Sequence, residues 1–505
     1  MKNLMLSKNQ RKVLFIYPEN ESLGIQILSA VLKKHGHLTD LIIDPRLFSD
    51  LEFNVKFLAK RFRFVPNVLD RIEKYKPDLI AFSVVTDDYI WACQIARDIK
   101  NKYKNIPIVF GGIHPTAVPE RVLKNDFVDF VVVGEGEYAL LELVNNLDDQ
   151  KSWSMIRNLY YKFDHQIFKN EIRPLVSNLD DLPQPDKSLF YEKVPYHQSR
   201  YLIMTGRGCP YLCTYCCNSL LRQMYKKKGP YLRRRSVERV IEELENAKKK
   251  YKVKEIYFYD DHFVSKDKWL IKFLDEYKKK IGLPYRCFAI AKYFNEDSID
   301  LLKNSEHCKF VQIGIQSVND RIRRDICHRG DDNNKIAWVV DKLRGAGISV
   351  IIDHIFGFPS ETIDDQIDAA KYYNKIQPSV INTFWLTYYP KTKIIDIAKS
   401  YGLISNEDIE HIEEGNFQKR QEPSNVEALE HFRESLKFQV LFNFIPILPK
   451  KVNSFIINKK IYKLFLNSHF FRVNLQRAIL IIFNESFQNA AIKKLGKYYY
   501  FLKPI

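Results

Sequence analysis

The sequence predicts an α/β protein with an N-terminal doubly wound parallel sheet of Rossmann-like type, a partial (β/α)6 TIM-like barrel and a helical C-terminal region. Three observations predict it. Five short apolar runs alternate with helical patterns before residue 147, six more alternate with helices between 199 and 405, and the alternation stops after about residue 406. The expected boundaries are therefore 1–147, a linker at 148–198, 199–405 and 406–505.

In the first unit Lys12–Pro18, Leu38–Ile43, Asp78–Val84, Ile106–Phe110 and Phe130–Val133 read as buried strands, with helices over Ile25–Leu32 and about Tyr89–Tyr103. Ligands of such sheets bind beyond the carboxyl ends of the strands. Two of those ends are glycine-rich, Gly111-Gly112-Ile113-His114-Pro115-Thr116 and Gly134-Glu135-Gly136-Glu137, and glycine lets a ligand approach the backbone. Residues 148–198 are polar, contain a hairpin pattern from Leu159 to Phe168 and end near Leu182-Pro183-Gln184-Pro185-Asp186.

The second unit opens with the strand pattern Tyr201–Met204 and the loop Gly206-Arg207-Gly208-Cys209-Pro210-Tyr211-Leu212-Cys213-Thr214-Tyr215-Cys216. Three of the eight cysteines fall at intervals of four and three. Thiolates so spaced can converge on one metal centre, and soft sulfur selects zinc or an iron–sulfur cluster. A closed zinc site needs a fourth ligand, and the adjacent Cys217 is poorly placed to join the same tetrahedron. A cubane held by three cysteines instead leaves one iron open. Further strands are expected at Glu255–Tyr259, Tyr285–Ala289, Phe310–Ile315, Ser349–Ile355 and Val380–Trp385, with polar residues at their ends: Asp260 and Asp261, Gln316 and Ser317, Gly357–Thr362, and Tyr388–Thr392.

The Cys-x3-Cys-x2-Cys loop, with Tyr215 before its third cysteine, resembles the cluster loop of the radical S-adenosylmethionine (radical SAM) enzymes. Arg207 to Pro210 and Cys216 to Asn218, with the two glycine phrases, are similar to the subgroup that carries a cobalamin-binding domain before the barrel. The resemblance implies a [4Fe-4S] cluster on Cys209, Cys213 and Cys216 and SAM chelated at the open iron. It also implies reductive formation of a 5′-deoxyadenosyl radical, cobalamin on the first domain, a small-molecule substrate and an external electron donor of flavodoxin or ferredoxin type. It assigns Asp260 and Asp261 to the SAM amino group, Gln316 and Ser317 to the ribose or carboxylate side, and Tyr215 to the adenine. Gly111, Gly112, His114, Gly134 and Glu135 fall to cobalamin.

Some residues depart from the subgroup. The Asp-x-His-x-x-Gly phrase that presents a histidine to cobalt is absent, so His114 is expected to shape the loop or touch the cofactor tail. Gln316 stands where relatives often have Glu, and Lys391 where Gly is common. No catalytic base stands out among His262, His328 and His354, and Cys287, Cys308 and Cys327 read as buried. Methylation of an unactivated carbon is the commonest outcome that the resemblance implies. Cyclisation of the anaerobic protoporphyrin ester cyclase type and a noncatalytic cluster or corrinoid sensor are the alternatives. Methylthiotransfer is disfavoured, because Cys93 is the sole cysteine before Cys209.

Composition bounds the rest. Apolar residues make up 46% of the 505, enough for full cores, and eight cysteines in such a length suit a reducing cytoplasm rather than a disulfide scaffold. The polar start, Met1 to Lys12, has no secretory pattern, and no run is long enough to span a membrane. Of the formal charge of +18, +11 falls from Lys437 onward, where twelve Lys or Arg face the single Glu485. Aromatic and apolar runs such as Ala478–Phe483 are interleaved with that charge, which suggests a helical lid on the barrel or a peripheral membrane or lipid-facing surface. No recognised nucleic-acid-binding fold accompanies it.

Overall fold

The computed structural model describes residues 10–18, 21–47, 65–265, 267–416 and 426–465. Seven strands form the first sheet: β1 (Lys12–Pro18), β2 (Leu38–Asp44), β3 (Leu79–Ser83), β4 (Ile108–Gly111), β5 (Phe130–Val132), β6 (Leu159–Phe163) and β7 (Gln166–Lys169). Their order is β2-β1-β3-β4-β5-β6-β7, parallel as far as β5 and antiparallel after it. The inner parallel strands read as nearly unbroken apolar runs because helices cover both faces, whereas the edge strand β2 carries Thr39 and Asp40. Val13, Phe15, Ala81 and Val109 lie on the side of helices Leu23–Lys34 and Glu137–Asn145, whereas Leu14, Ile16, Ile80 and Phe110 pack with Tyr89–Lys102.

The expected linker at 148–198 is more than a tether. Its hairpin continues the sheet because β6 pairs with β5, burying Leu159 and Tyr161. Its last part is pinned along the first helix: the Asp186 N–H donates to the Gln26 carbonyl at 3.1 Å, and Asp186 accepts from Ser29 and pairs with Lys33. The ammonium of Lys187, almost fully buried, pairs with Glu21 at 2.6 Å and donates to the Leu202 carbonyl in the next domain.

The second sheet consists of β8 (Arg200–Ile203), β11 (Glu255–Phe258), β12 (Tyr285–Ala289), β13 (Cys308–Gln316), β14 (Ser349–Phe356) and β15 (Val380–Trp385). A short antiparallel ribbon, β9 (Gly206–Arg207) with β10 (Arg233–Arg234), lies between β8 and β11. The six strands are parallel and stand in chain order, as a partial barrel requires. The outer helices start at side-chain caps: Ser236, Asp267, Asn295, Asp332 and Thr362 each accept a backbone N–H of the first turn.

The C-terminal helices Val426–Phe444 and Lys450–Asn458 pack on helix Ile363–Ile376, and the first also meets β15. Phe438, Leu441, Phe442 and Ile445 enter the barrel core. This described part is therefore a packed cover. No helix among the described residues is long and apolar enough to cross a membrane. The runs that suggested a membrane or lipid surface, including Ala478–Phe483, lie outside the described residues.

Candidate functional site

In the first sheet the strand order reverses between β1 and β3, the switch point where such sheets bind ligands. A cavity of about 350 Å³ lies there. Its walls are Gly24 and Leu28 of the first helix, Gly111 and Gly112 after β4, Gly134 and Glu135 after β5, and the linker prolines Pro183 and Pro185. Met204, Gly206, Arg207 and Arg235 close it from the barrel side. Gly112 has φ +97, and a Cβ there would stand 2.7 Å from both the backbone N and O of Val84. At Gly134, φ +75, a Cβ would collide with the Tyr225 hydroxyl, which accepts the Glu135 N–H at 2.7 Å. These loops must stay bare for the strand ends and the two domains to meet.

The second glycine phrase holds the domains together. Arg207 donates to Glu135 at 2.9 Å and to Glu137 at 2.5 Å, and Arg233, its partner in the ribbon, donates to both Glu135 oxygens at 2.8 and 3.1 Å. Desolvation works against ionisation of Glu135, but the hydrogen bonds and charges of the two arginines hold its pKa below the usual carboxylate value. Glu135 thus lines the cavity, yet its carboxylate is spent on the clamp. His114 does not line the cavity. Its ring stacks on Tyr89 with centroids 4.0 Å apart, neither nitrogen has a partner, and burial lowers its pKa to about 3. The sequence leaves loop shaping or a cofactor-tail contact to His114, and its helix, Ile113–Ala117, turns the ring toward Tyr89 in the sheet's other layer, away from the cavity walls.

Two residues beyond Arg207 the cysteine loop begins. Gly208, φ +93, passes so close to the Tyr231 carbonyl that a Cβ would collide with it. Thr214 fixes the middle of the loop, its N–H and hydroxyl donating to the carbonyls of Cys327 and Ile326 at 3.2 and 2.6 Å. Arg329 donates to Cys213 Sγ at 3.6 Å and to the Gly314 carbonyl at 2.7 Å, and Asn218 reaches Cys216 Sγ at 3.8 Å. The three thiols influence one another electrostatically, and the Cys217 thiol donates to Cys216 and pulls its pKa below the usual value. Among the described residues no three His, Cys, Asp or Glu side chains converge on one ion position. A cubane needs no such convergence, since it spreads its three thiolates over three irons. The donor set fits a cluster and does not fit a tetrahedral zinc.

The family comparisons match this arrangement unit by unit. The profile described as B12 binding domain matches residues 15–144, and that described as Radical SAM superfamily matches residues 203–373. The chain is a radical SAM protein with a B12-binding domain. An uncharacterised methyltransferase of Pyrococcus horikoshii is 28% identical over 413 residues, covering 78% of this chain and 84% of its own. The anaerobic magnesium-protoporphyrin IX monomethyl ester cyclase of Rubrivivax gelatinosus is 23% identical over 401 residues, 75% of this chain and 68% of its own. Among solved structures, the cobalamin-dependent S-adenosylmethionine radical enzyme OxsB aligns with TM-score 0.66 at 14% identity over 96% of this chain and 80% of its own. The radical SAM methyltransferase TsrM from Kitasatospora setae aligns with TM-score 0.63 at 17% identity over 78% of each chain. The radical SAM match implies a [4Fe-4S] cluster and SAM, and the B12-binding match implies cobalamin.

For this radical SAM chain the structure divides the residues expected at SAM. Asp260 accepts the Thr205 N–H and hydroxyl and the Gly206 N–H at 2.6 to 3.1 Å, so it shapes the entry to the cysteine loop. Among the described residues Asp261 accepts from Asn218 alone, at 3.1 Å, and with Asp260 it lines a second cavity of about 200 Å³ beside Gly208 and Pro210. Burial raises its pKa. Ser317 accepts the Asn319 N–H in a turn, while Gln316, φ +71, keeps a buried Oε1 without a partner. Tyr215 packs on Phe358 with centroids 5.7 Å apart. His354 is structural, bonded to Tyr373 and Gln366. Three contributors escaped sequence reading: the Glu137–Arg207 contact, Arg329, and the group formed by Gln312, Asp353 and Asn382. The last had a signal, since Gln312, Asp353 and Asn382 each interrupt a largely apolar strand.

Proposed function

We propose that this chain is a cobalamin-dependent radical SAM C-methyltransferase with its cluster on Cys209, Cys213 and Cys216. The observation that supports it is a shared wall: Gly206 and Arg207, which lead into the cysteine loop, also close the glycine-walled cavity of the B12-binding domain. A corrinoid seated at those strand ends would face the loop. When bound, the cluster supplies the electron that cleaves SAM, and cobalamin carries the methyl group to an unactivated carbon. The protein's part is placement. The clamp of Glu135, Glu137, Arg207 and Arg233 holds the two domains in one register. Asp261 offers a carboxylate oxygen to the SAM amino group, Gln316 an amide oxygen to its ribose, and Tyr215 with Phe358 an aromatic surface to its adenine. A soluble reductant of flavodoxin or ferredoxin type would deliver the electron. Similarity to the ester cyclase supports a second reading, in which substrate radicals are cyclised or oxidised rather than methylated.

Anaerobic reconstitution with iron, sulfide and hydroxocobalamin tests the proposal. The expected result is about four irons and one cobalt per chain, 5′-deoxyadenosine from SAM after reduction, and loss of iron but not cobalt in the Cys209→Ala, Cys213→Ala, Cys216→Ala variant. Iron without cobalt would remove methyl transfer through cobalamin. Absence of iron would sink both readings. With substrate in hand, product that carries no label from methyl-labelled SAM would favour cyclisation.

A further inference from the structure

The three last strands of the barrel separate their side chains cleanly between two faces. Val311, Ile313 and Ile315 of β13 are buried under the outer helices, which leaves Gln312 on the concave face. On β14, His354 bonds Tyr373 of an outer helix, so Asp353 faces inward, and Asn382 of β15 stands beside it in register. Gln312 Nε2 donates to both Asp353 oxygens at 2.8 and 2.9 Å, and Asn382 Nδ2 donates to one at 3.1 Å. Both donors are neutral amides. They orient the carboxylate without cancelling its charge, and burial pushes its pKa up to about 6.

The charged groups facing Asp353 are few. Arg329 acts on it from the loop that follows β13, but that guanidinium pairs with Asp331 at 2.9 Å. Another nitrogen of Arg329 meets Cys213 Sγ, so the carboxylate looks toward the cysteine loop across one arginine. The surroundings are otherwise aromatic. Phe288 lies next to Gln312 in register and meets Tyr259 edge-on at 5.4 Å, and Tyr259 and Phe384 are each about half exposed. At the amino ends of the strands the lumen is floored by Arg286, stacked 4.1 Å over Tyr257 and paired with Glu255.

We propose that Asp353 anchors the substrate, and that the substrate carries a protonated amine on an apolar frame. The inference rests on the reading of the chain as a radical SAM enzyme. A carboxylate has about four acceptor positions, of which three are used here, and Asp353 shares the concave face of the sheet with both of its donors. An ammonium there supplies the missing countercharge, and its flanking rings add cation–π attraction. A carboxylate or phosphate in the same place would be repelled. Held by its amine, an apolar frame lies against Phe288, Tyr259 and Phe384, below the cysteine loop.

The test uses reconstituted full-length protein with SAM present, so that the SAM site is filled. The probes are 4-phenylbutylamine and 4-phenylbutyrate, which share one frame and differ in charge, and binding is read by calorimetry. The expected result is that the amine binds at least about tenfold tighter than the acid and that Asp353→Asn abolishes the difference. In the unaltered protein, amine affinity is expected to fall about tenfold between pH 7.5 and pH 5, as Asp353 takes up its proton. This second measurement needs no variant to fold. Equal affinities, a preference that survives Asp353→Asn, a flat pH dependence, or no binding of either probe would overturn the proposal. Formation of 5′-deoxyadenosine by the unaltered protein reports separately on the enzyme reading.

Discussion

Replacing Gly112 by alanine tests how tightly the strand ends are packed. The substitution forces a side chain into a left-handed backbone, φ +97, and sets its Cβ 2.7 Å from backbone atoms of Val84, which have no rotamer to move aside. Such strain costs about 1 to 3 kcal/mol, and the overlap adds to it. Gly112→Ala should therefore lower the thermal midpoint of the cofactor-free protein, whereas Gly111→Ala, whose Cβ would find its nearest atom at 3.7 Å, should leave it nearly unchanged. Equal midpoints for the two variants would show that the loop relaxes freely. At this scale the sequence was partly legible. Glycines at strand ends announced bare backbone, and three cysteines at short spacing announced the loop that Thr214 and Arg329 hold in place. Which of two adjacent acids was free could not be read, because Asp260 is consumed by Thr205 and Gly206, some 55 residues away, while Asp261 is not.

Elements were more legible than contacts between them. Strands buried on both faces give unbroken apolar runs, so the inner parallel strands of the first sheet stood out, while the edge strand β2 showed through Leu41 to Ile43 alone. The hairpin was also visible, but its pairing with β5 was not, since a turn pattern fixes only the hairpin's own register. The C-terminal helix shows the same limit: an amphipathic pattern says that one face is covered and not by what. Phe442 settles the described part. It is fully buried, with its ring 5.0 Å from His354, 5.5 Å from Phe356 and 5.2 Å from Tyr373. Phe442→Ala should cost about 3 to 5 kcal/mol, seen as an earlier, broader melting transition that spreads to the barrel. A midpoint unchanged by the substitution would mean that the helix is a detachable lid.

Over the whole molecule the buried titratable groups are divided unevenly, and the division sets which domain fails in acid. In the first domain burial lowers the pKa of His114 to about 3 and also lowers that of His37. A histidine with a depressed folded pKa contributes stability that is lost as pH falls below about 6.5, because the unfolded chain takes up the proton first. Asp40 and Glu135 have the same sign: despite desolvation, Arg71 and Lys193 hold the first below its usual value, and Arg233 and Arg207 hold the second. Their stability is present above about pH 4 and is lost as pH falls further. Asp87, raised by burial, opposes them. The barrel has depressed histidines as well, His354 at about 3, His262 at about 4 and His307 lowered by burial, but it also has acids shifted upward by burial, Glu361 to about 8, Asp353 to about 6, and Asp260 and Asp261 in the same direction. These four acids hold protons more tightly when folded, so acidification from pH 8 toward 4.5 relieves them and offsets the three histidines. The first domain should therefore open before the barrel as pH is lowered from 7 to 4.5. Hydrogen exchange of peptides across 12–147 and 200–400 measures the order directly. If the barrel peptides lose protection first, or both sets lose it together, the charge division does not govern the acid response and the clamp of Glu135 with Arg207 and Arg233 has made the two domains one cooperative unit.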